Sequence, residues 1–192
     1  MTTIAQAERI LSYWFDLGWE ENPRMRSEWF DADSNFDAAI RERFLGLHAQ
    51  AMQNQMLHWY EEPKTCLALI VLLDQFSRNM FRGTPAAFAS DGMALMVADH
   101  ALNLDFDQEF APVYRMFFYL PFEHSEDLNN QAIAVDRMSQ YQGDPEFNLF
   151  YDYALQHQAV IQKFGRFPHR NTILGRPSTP EELEYLSRSP GF

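Results

Sequence analysis

Residues 68–85 read ALIVLLDQFSRNMFRGTP, an unbroken apolar run to Leu73 that passes directly into Asp74, Gln75, Arg78 and Arg82. The run Ala68–Leu73 has strand-like composition. It is embedded, however, in a longer segment that opens with Pro63, and the first turn of a helix accepts proline without losing a hydrogen bond. On a helix, four residues advance only about 40° past a full turn, so positions 74, 78 and 82 share one stripe with Leu67 and Val71. One face therefore begins apolar and ends as Asp-Arg-Arg. The segment reads as a helix from Pro63 to the region Phe81–Gly83.

Working outward, helical periodicity recurs almost everywhere. Ile4, Ile10, Leu11, Trp14 and Phe15 define a first helix over 4–16, opened by a Thr3–Gln6 capping box and stopped by Gly18. A Trp-, Pro- and Arg-rich loop follows, Trp19 to Phe30. Asp33 or Ser34 caps a second helix carrying Phe36, Ile40, Phe44, Leu47 and Ala51, with a break near Gln53–Gln55. Further helices are expected over 87–102, from an Asp107 cap to Leu120 before Pro121, from a Ser125 cap to Gly143, and from Asp144-Pro145 to Gly165. A loop, 166–178, then leads to a Thr179-Pro180-Glu181-Glu182 capping box that opens a short last helix. No segment alternates as a strand does. The expectation is a single all-α domain over 1–192, with seven to nine helices stacked as antiparallel pairs.

The bulk composition narrows the classes. A chain of 192 residues that is 46% hydrophobic and 15% aromatic can bury a sizeable core. A net charge of −12 argues against a general nucleic-acid binder, which needs Lys and Arg to neutralise phosphates, and against anionic membranes. No apolar run approaches the ~18–20 residues that span a bilayer. The start MTTIAQAERI lacks the basic region and apolar core of a secretory signal. The lone cysteine, Cys66, begins an apolar helix, reads as buried filler, and suits a reducing compartment. Cytoplasmic placement is the expectation.

Three constellations carry chemistry. In the first, Asp74 and Arg78 are spaced to pair, which leaves Arg82 either as a spare planar fork for a carboxylate or phosphate or as a helix-end cation in solvent. In the second, FFYLPFEHSEDLNNQ, His124, Ser125 and Glu126 follow the aromatic helix; Ser125 reads as a cap, and His124 with Glu126 as an acid–base pair. As metal ligands they are two short of a full set, so neither metal nor cofactor is expected. In the third, Tyr153 to Pro180 contains no Asp or Glu but holds His157, Lys163, Arg166, His169, Arg170 and Arg176. These side chains serve either a site or ties to nearby acidic helices.

LLDQFSRNMFRGTPAAFASD, FFYLPFEHSED and FGRFPHRN…LGRPSTPEE resemble, in this order, the hallmark blocks of a mostly bacterial family described as domain of unknown function nine-two-four. The resemblance covers nearly the whole chain. It implies a tetratricopeptide-like all-α fold and no activity. The matching polar positions are Asp74, Gln75, Arg78, Arg82, His124, Ser125, Glu126, His157, Arg166, His169, Arg170 and Asn171. The chain departs from the pattern at Ser77, where the family usually has Pro, and at Glu123, where it usually has an apolar residue.

Three functional readings follow. In one, the blocks meet in a cleft where Asp74, Arg78, Arg82, Ser125, His157, Arg166, His169 and Arg170 bind a small phosphorylated or carboxylated ligand, with His124 and Glu126 moving protons if there is chemistry. In another, stacked helix pairs offer a groove for a protein or peptide, lined by Trp14, Phe15, Trp19, Trp29 and Phe30. In the last, the charges are buried ion-pair networks without a ligand. The sequence names no reaction.

Overall fold

The computed structural model describes residues 2–21 and 24–188, so residues 22 and 23 of the Trp19–Phe30 loop lie outside the described residues. The protein is all-α. Its α-helices are α1 (Thr3–Phe15), α2 (Ser34–Met52), α3 (Pro63–Ile70), α4 (Phe76–Met80), α5 (Asp91–Asn103), α6 (Pro112–Glu123), α7 (Leu128–Ser139), α8 (Asn148–Phe164) and α9 (Pro180–Arg188). A π turn, Val71–Gln75, joins α3 to α4 without a break. Counted as one rod, that segment brings the described residues to eight helices, within the expected range. No described residue is in a strand. No described helix is long and apolar enough to cross a membrane.

The chain divides into two compact units, Met1–Arg82 with Ala86–Pro121, and Gly83–Pro85 with Phe122–Phe192. In the first, α1 and α5 pack on α3, and α2 packs on α4. Its core is aromatic. Trp14 lies 6.1 Å from Trp29, 5.7 Å from Phe76 and 6.0 Å from Phe117, while Phe15 meets Tyr114 at 4.7 Å. Trp14, Phe15 and Trp19 are buried. Of the five aromatics considered for a groove, Trp29 is half-buried and only Phe30 is exposed. Cys66 is fully buried, and burial pushes its thiol up to about 12, so it is an inert filler.

The π turn was not legible from the apolar run. Its extra residue rotates everything downstream by about 100° relative to α3, so Leu67 and Val71 do not continue the stripe of Asp74 and Arg78. It also loosens the backbone ladder, and the Leu73 carbonyl is taken up from outside the helix. Ser90 donates its hydroxyl to Leu73 O at 2.6 Å instead of capping α5, where it stands at the N-cap. Ser77 Oγ lies 2.6 Å from Ser90 Oγ, and His48 Nε2 lies 2.6 Å from Ser77 Oγ. A carbonyl only accepts, so the direction of the whole chain is determined: His48 Nε2–H to Ser77, Ser77 O–H to Ser90, Ser90 O–H to Leu73. His48 is thus a donor here. The close Ser–His contact is a buried structural wire and not a nucleophile with its base.

In the second unit, α7 packs on α8, and Val160, Ile161 and Phe167 form a small core flanked by Phe164 and Tyr185. Three local expectations are corrected. Helix α6 does not end at Leu120 but runs through Pro121 to Glu123. The carbonyls beyond the proline are met by the buried Gln131 of α7, whose amide donates to Glu123 O at 2.5 Å and Ser125 O at 2.8 Å. The N-cap of α7 is Asp127, not Ser125: its Oδ1 accepts from Asn129 N and Asn130 N at 2.8 and 3.1 Å. Ser125 instead accepts from Asn130 Nδ2, while Glu126 beside it bonds Arg176. Asp107 does not cap α6 but is buried against the Tyr119 hydroxyl at 2.7 Å. The Thr179–Glu182 capping box is present as expected: Thr179 N donates to Glu182 Oε2 and Glu182 N to Thr179 Oγ1.

Candidate functional site

Three of the expected site residues belong to the first unit. Asp74 is buried in the π turn, and Arg78 Nη1 reaches its Oδ1 at 3.1 Å, the pairing the spacing predicts. The same guanidinium forks onto Asp91, at 3.0 and 3.2 Å, and also bonds the Asp74 carbonyl at 2.8 Å. The fork of Arg82 is engaged by Asp37, through Nε at 2.6 Å and Nη2 at 2.8 Å, and this side chain is half exposed. Both forks thus grip carboxylates that sequence spacing did not pair with them. A shallow recess elsewhere in this unit is lined by Ala51, Met56, Leu57, Tyr60, Leu73 and Met93 and has room for little more than a water molecule.

The other seven belong to the second unit, where the second and third blocks are joined by direct bonds. Glu126 accepts Phe167 N–H at 2.8 Å and two N–H groups of Arg176, at 2.6 and 2.9 Å. Burial alone would raise its carboxyl; the Arg176 and Phe167 bonds, with the charges of Arg176 and Arg170, outweigh that and hold it below the usual carboxylate range. Such a carboxylate is an anchor, and a poor proton donor near neutrality. Arg166 forks onto Glu182 at 2.7 and 2.9 Å, and Asn171 adds a bond at 3.2 Å. These bonds hold the Glu182 carboxyl down to about 2, Arg166 contributing most.

Around Phe167 the remaining groups gather. His157, on the buried face of α8, sets its ring 5.5 Å from that of Phe167 and 6.3 Å from that of His124. His169 lies 5.6 Å from Phe167, and the buried guanidinium of Arg170 sits 4.5 Å over the same ring. His157 Nδ1 is 2.9 Å from Tyr153 O and 3.1 Å from Glu123 Oε1. Both are acceptors, so Nδ1 carries the hydrogen and Nε2 the lone pair. Burial pushes His157 down to about 3, with His124 next in effect; burial and then Arg170 push His169 down to about 4. Both rings are neutral near pH 7.

This neutrality has a measurable consequence. Below the ordinary histidine value of about 6.5, the unfolded chain binds protons that the folded rings refuse. Stability is therefore complete above about pH 6.5 and is lost as pH falls toward about 4 and about 3. His48, lowered by burial in the first unit, acts in the same direction. The expected result is a falling urea midpoint from pH 7 to pH 5, with a shallower fall in His157→Gln; a flat midpoint would contradict neutral burial.

Among the described residues, no group of three or more His, Cys, Asp or Glu side chains is placed to hold a metal ion. Sequence reasoning missed Glu123 as the partner of His157 and did not tie Arg176 to Glu126. Neither pair has a short-range signal, Arg176 and Glu126 being 50 positions apart.

Comparison with known proteins agrees with this all-α architecture. The family model described as bacterial protein of unknown function (DUF924) matches residues 10–190. A solved structure of a protein of unknown function from Agrobacterium tumefaciens is similar at a TM-score of 0.87 and 39% identity, covering 98% of this chain and 100% of that one. No curated protein matches.

Proposed function

We propose that this chain, which belongs to the bacterial family of unknown function DUF924, binds a small anion at the second unit's cluster of His124, His157, His169 and Arg170. The observation that carries the reading is the gathering of His157, His169 and the Arg170 guanidinium around Phe167, with His124 beside His157, in a chain of net charge −12. The nearby arginines Arg166 and Arg176 are held by Glu182 and Glu126, which secures the segment that carries His169 and Arg170. A planar guanidinium with imidazoles beside it suits a phosphate or carboxylate oxygen.

The test is thermal unfolding at fixed ionic strength with inorganic phosphate, sulfate and simple di- and tricarboxylates. A ligand at 100 times its dissociation constant adds about 2.7 kcal/mol, or about 5–10 °C for a chain of this length. The shift should vanish in Arg170→Met and be reduced in Arg170→Lys, which keeps the charge and loses the fork. No shift with any of these anions would end the reading.

A further inference from the structure

We propose that the socket of Trp19, in the first unit, is a binding site for an indole-type ligand bearing a carboxylate, and that the chain's own Trp19 and Glu20 occupy it until the segment 16–21 swings out. The site is independent of the anion reading above. Trp19 enters the core from a loop and not from a helix, yet only 2% of it is exposed. Its indole stacks on Phe110 at 6.4 Å, meets Tyr114 edge-on at 4.9 Å and Phe15 at 5.6 Å, and carries the Lys64 ammonium over its face at 5.5 Å. Three polar groups of the segment are met by residues from outside it. Glu8 of α1 accepts the indole N–H at 3.1 Å, the Tyr114 hydroxyl of α6 donates to the Trp19 carbonyl, and Lys64 of α3 pairs with Glu20 at 2.8 Å. Trp14, the neighbouring core tryptophan, has no partner for its indole N–H. Filling space needs none of the recognition of ring, N–H and carboxylate that Trp19 and Glu20 receive.

The socket keeps its polar groups when the segment leaves. Lys64 also pairs with Glu8, at 2.9 Å, and so stays beside the socket without Glu20. Burial alone would raise the Glu8 carboxyl; bonds from Lys64, Ser12 and Trp19 outweigh that and hold it below the usual carboxylate range, an acceptor at neutrality. The segment itself is hinged under strain. It leaves α1 through Asp16, whose φ of 81° and ψ of 163° belong to a region that only glycine adopts freely. The Asp16 carboxylate holds that turn by accepting Leu17 N–H at 2.9 Å and pairing with Arg24. Leu17 is 84% exposed, so no packing of its side chain holds the hinge shut, and Gly18 follows at a φ of 71°. Strain at Asp16 is released when the segment swings out, which lowers the cost of exchanging Trp19 for a ligand.

Indole-3-propionate is the probe, with indole and benzofuran-3-propionate as analogues that lack the carboxylate and the N–H. In the unmodified protein, saturating probe should speed amide hydrogen exchange of residues 17–21 about tenfold and leave α1 and α6 protected. Trp19→Ala, which removes the internal occupant, should bind the probe about tenfold more tightly and regain thermal stability on binding. In that background each analogue should bind about tenfold more weakly than the probe, the effect of losing one hydrogen bond to a charged group. Glu8→Gln should shrink the difference for benzofuran-3-propionate, and Lys64→Met the difference for indole. Absence of binding to the unmodified protein overturns the proposal, whether or not Trp19→Ala folds. So does binding that leaves exchange of residues 17–21 unchanged, or a folded Trp19→Ala that binds all three compounds equally.

Discussion

Replacing Arg78 by Met lowers stability by about 3–5 kcal/mol, the cost of leaving a buried carboxylate without its counter-ion. Asp74 is 1% exposed, and Arg78 meets it at 3.1 Å while also spanning Asp91. Met restores much of the stem's packing, so the loss measures charge and not volume. Asp74 keeps the Gln75 amide at 2.6 Å, a neutral donor that cannot balance a full charge. The deficit should shrink as pH is lowered toward 5, because an uncompensated buried carboxyl protonates readily and then needs no partner. Arg82→Met is the control. Its side chain is 48% exposed, and Asn79 also holds Asp37, so the expected loss is at most about 1 kcal/mol. Urea denaturation of both variants separates the two; equal losses would mean that burial is not what distinguishes them.

Trp14→Ala is expected to cost a further, independent ~3–5 kcal/mol, the range for emptying a buried aromatic site. Trp14 is 1% exposed and touches Trp29, Phe36, Phe76 and Phe117, so four elements of the first unit lose packing together. Its backbone carbonyl also anchors the following loop, accepting from Trp29 Nε1 at 2.9 Å and Arg26 Nη1 at 2.7 Å. A cavity at this point cannot collapse without moving those anchors. Trp14→Phe should cost well under half as much. The indole N–H of Trp14 makes no hydrogen bond, so Phe loses volume but removes an unmet buried donor. A Phe variant as unstable as the Ala variant would show that ring shape, and not filled volume, sets the cost.

The helices were legible because their signals are local. Pro63 opens α3, Asp33 caps α2 through bonds to Asn35 N and Phe36 N, and the Thr179–Glu182 box opens α9; each involves residues within three positions of one another. The π turn and the true end of α6 were not, since donors from outside the segment meet the carbonyls at both places. Ser90 meets Leu73 from 17 positions away, and Gln131 meets the end of α6 from α7. The candidate site divides in the same way. Asp74–Arg78 is an i,i+4 pair and could be read from spacing. Asp37–Arg82 and Glu126–Arg176 span 45 and 50 positions, and periodicity carries no information at that range. The acid-free stretch from Tyr153 to Pro180 marked a basic segment, and Arg166 and Arg176 within it find their acids in Glu182 and Glu126, outside it.

The wire from His48 to Leu73 sets how its residues can be exchanged. Removing any one hydroxyl or the imidazole strands a buried neighbour: Ser77→Ala leaves His48 without its acceptor, and Ser90→Ala leaves both Ser77 and the Leu73 carbonyl wanting. Exchanging His48, Ser77 and Ser90 together for apolar residues of similar size leaves one wanting atom, the Leu73 oxygen. The triple exchange should therefore be milder than the sum of its single steps. Energetically the three positions form one unit, although they are spread over more than forty positions of the chain.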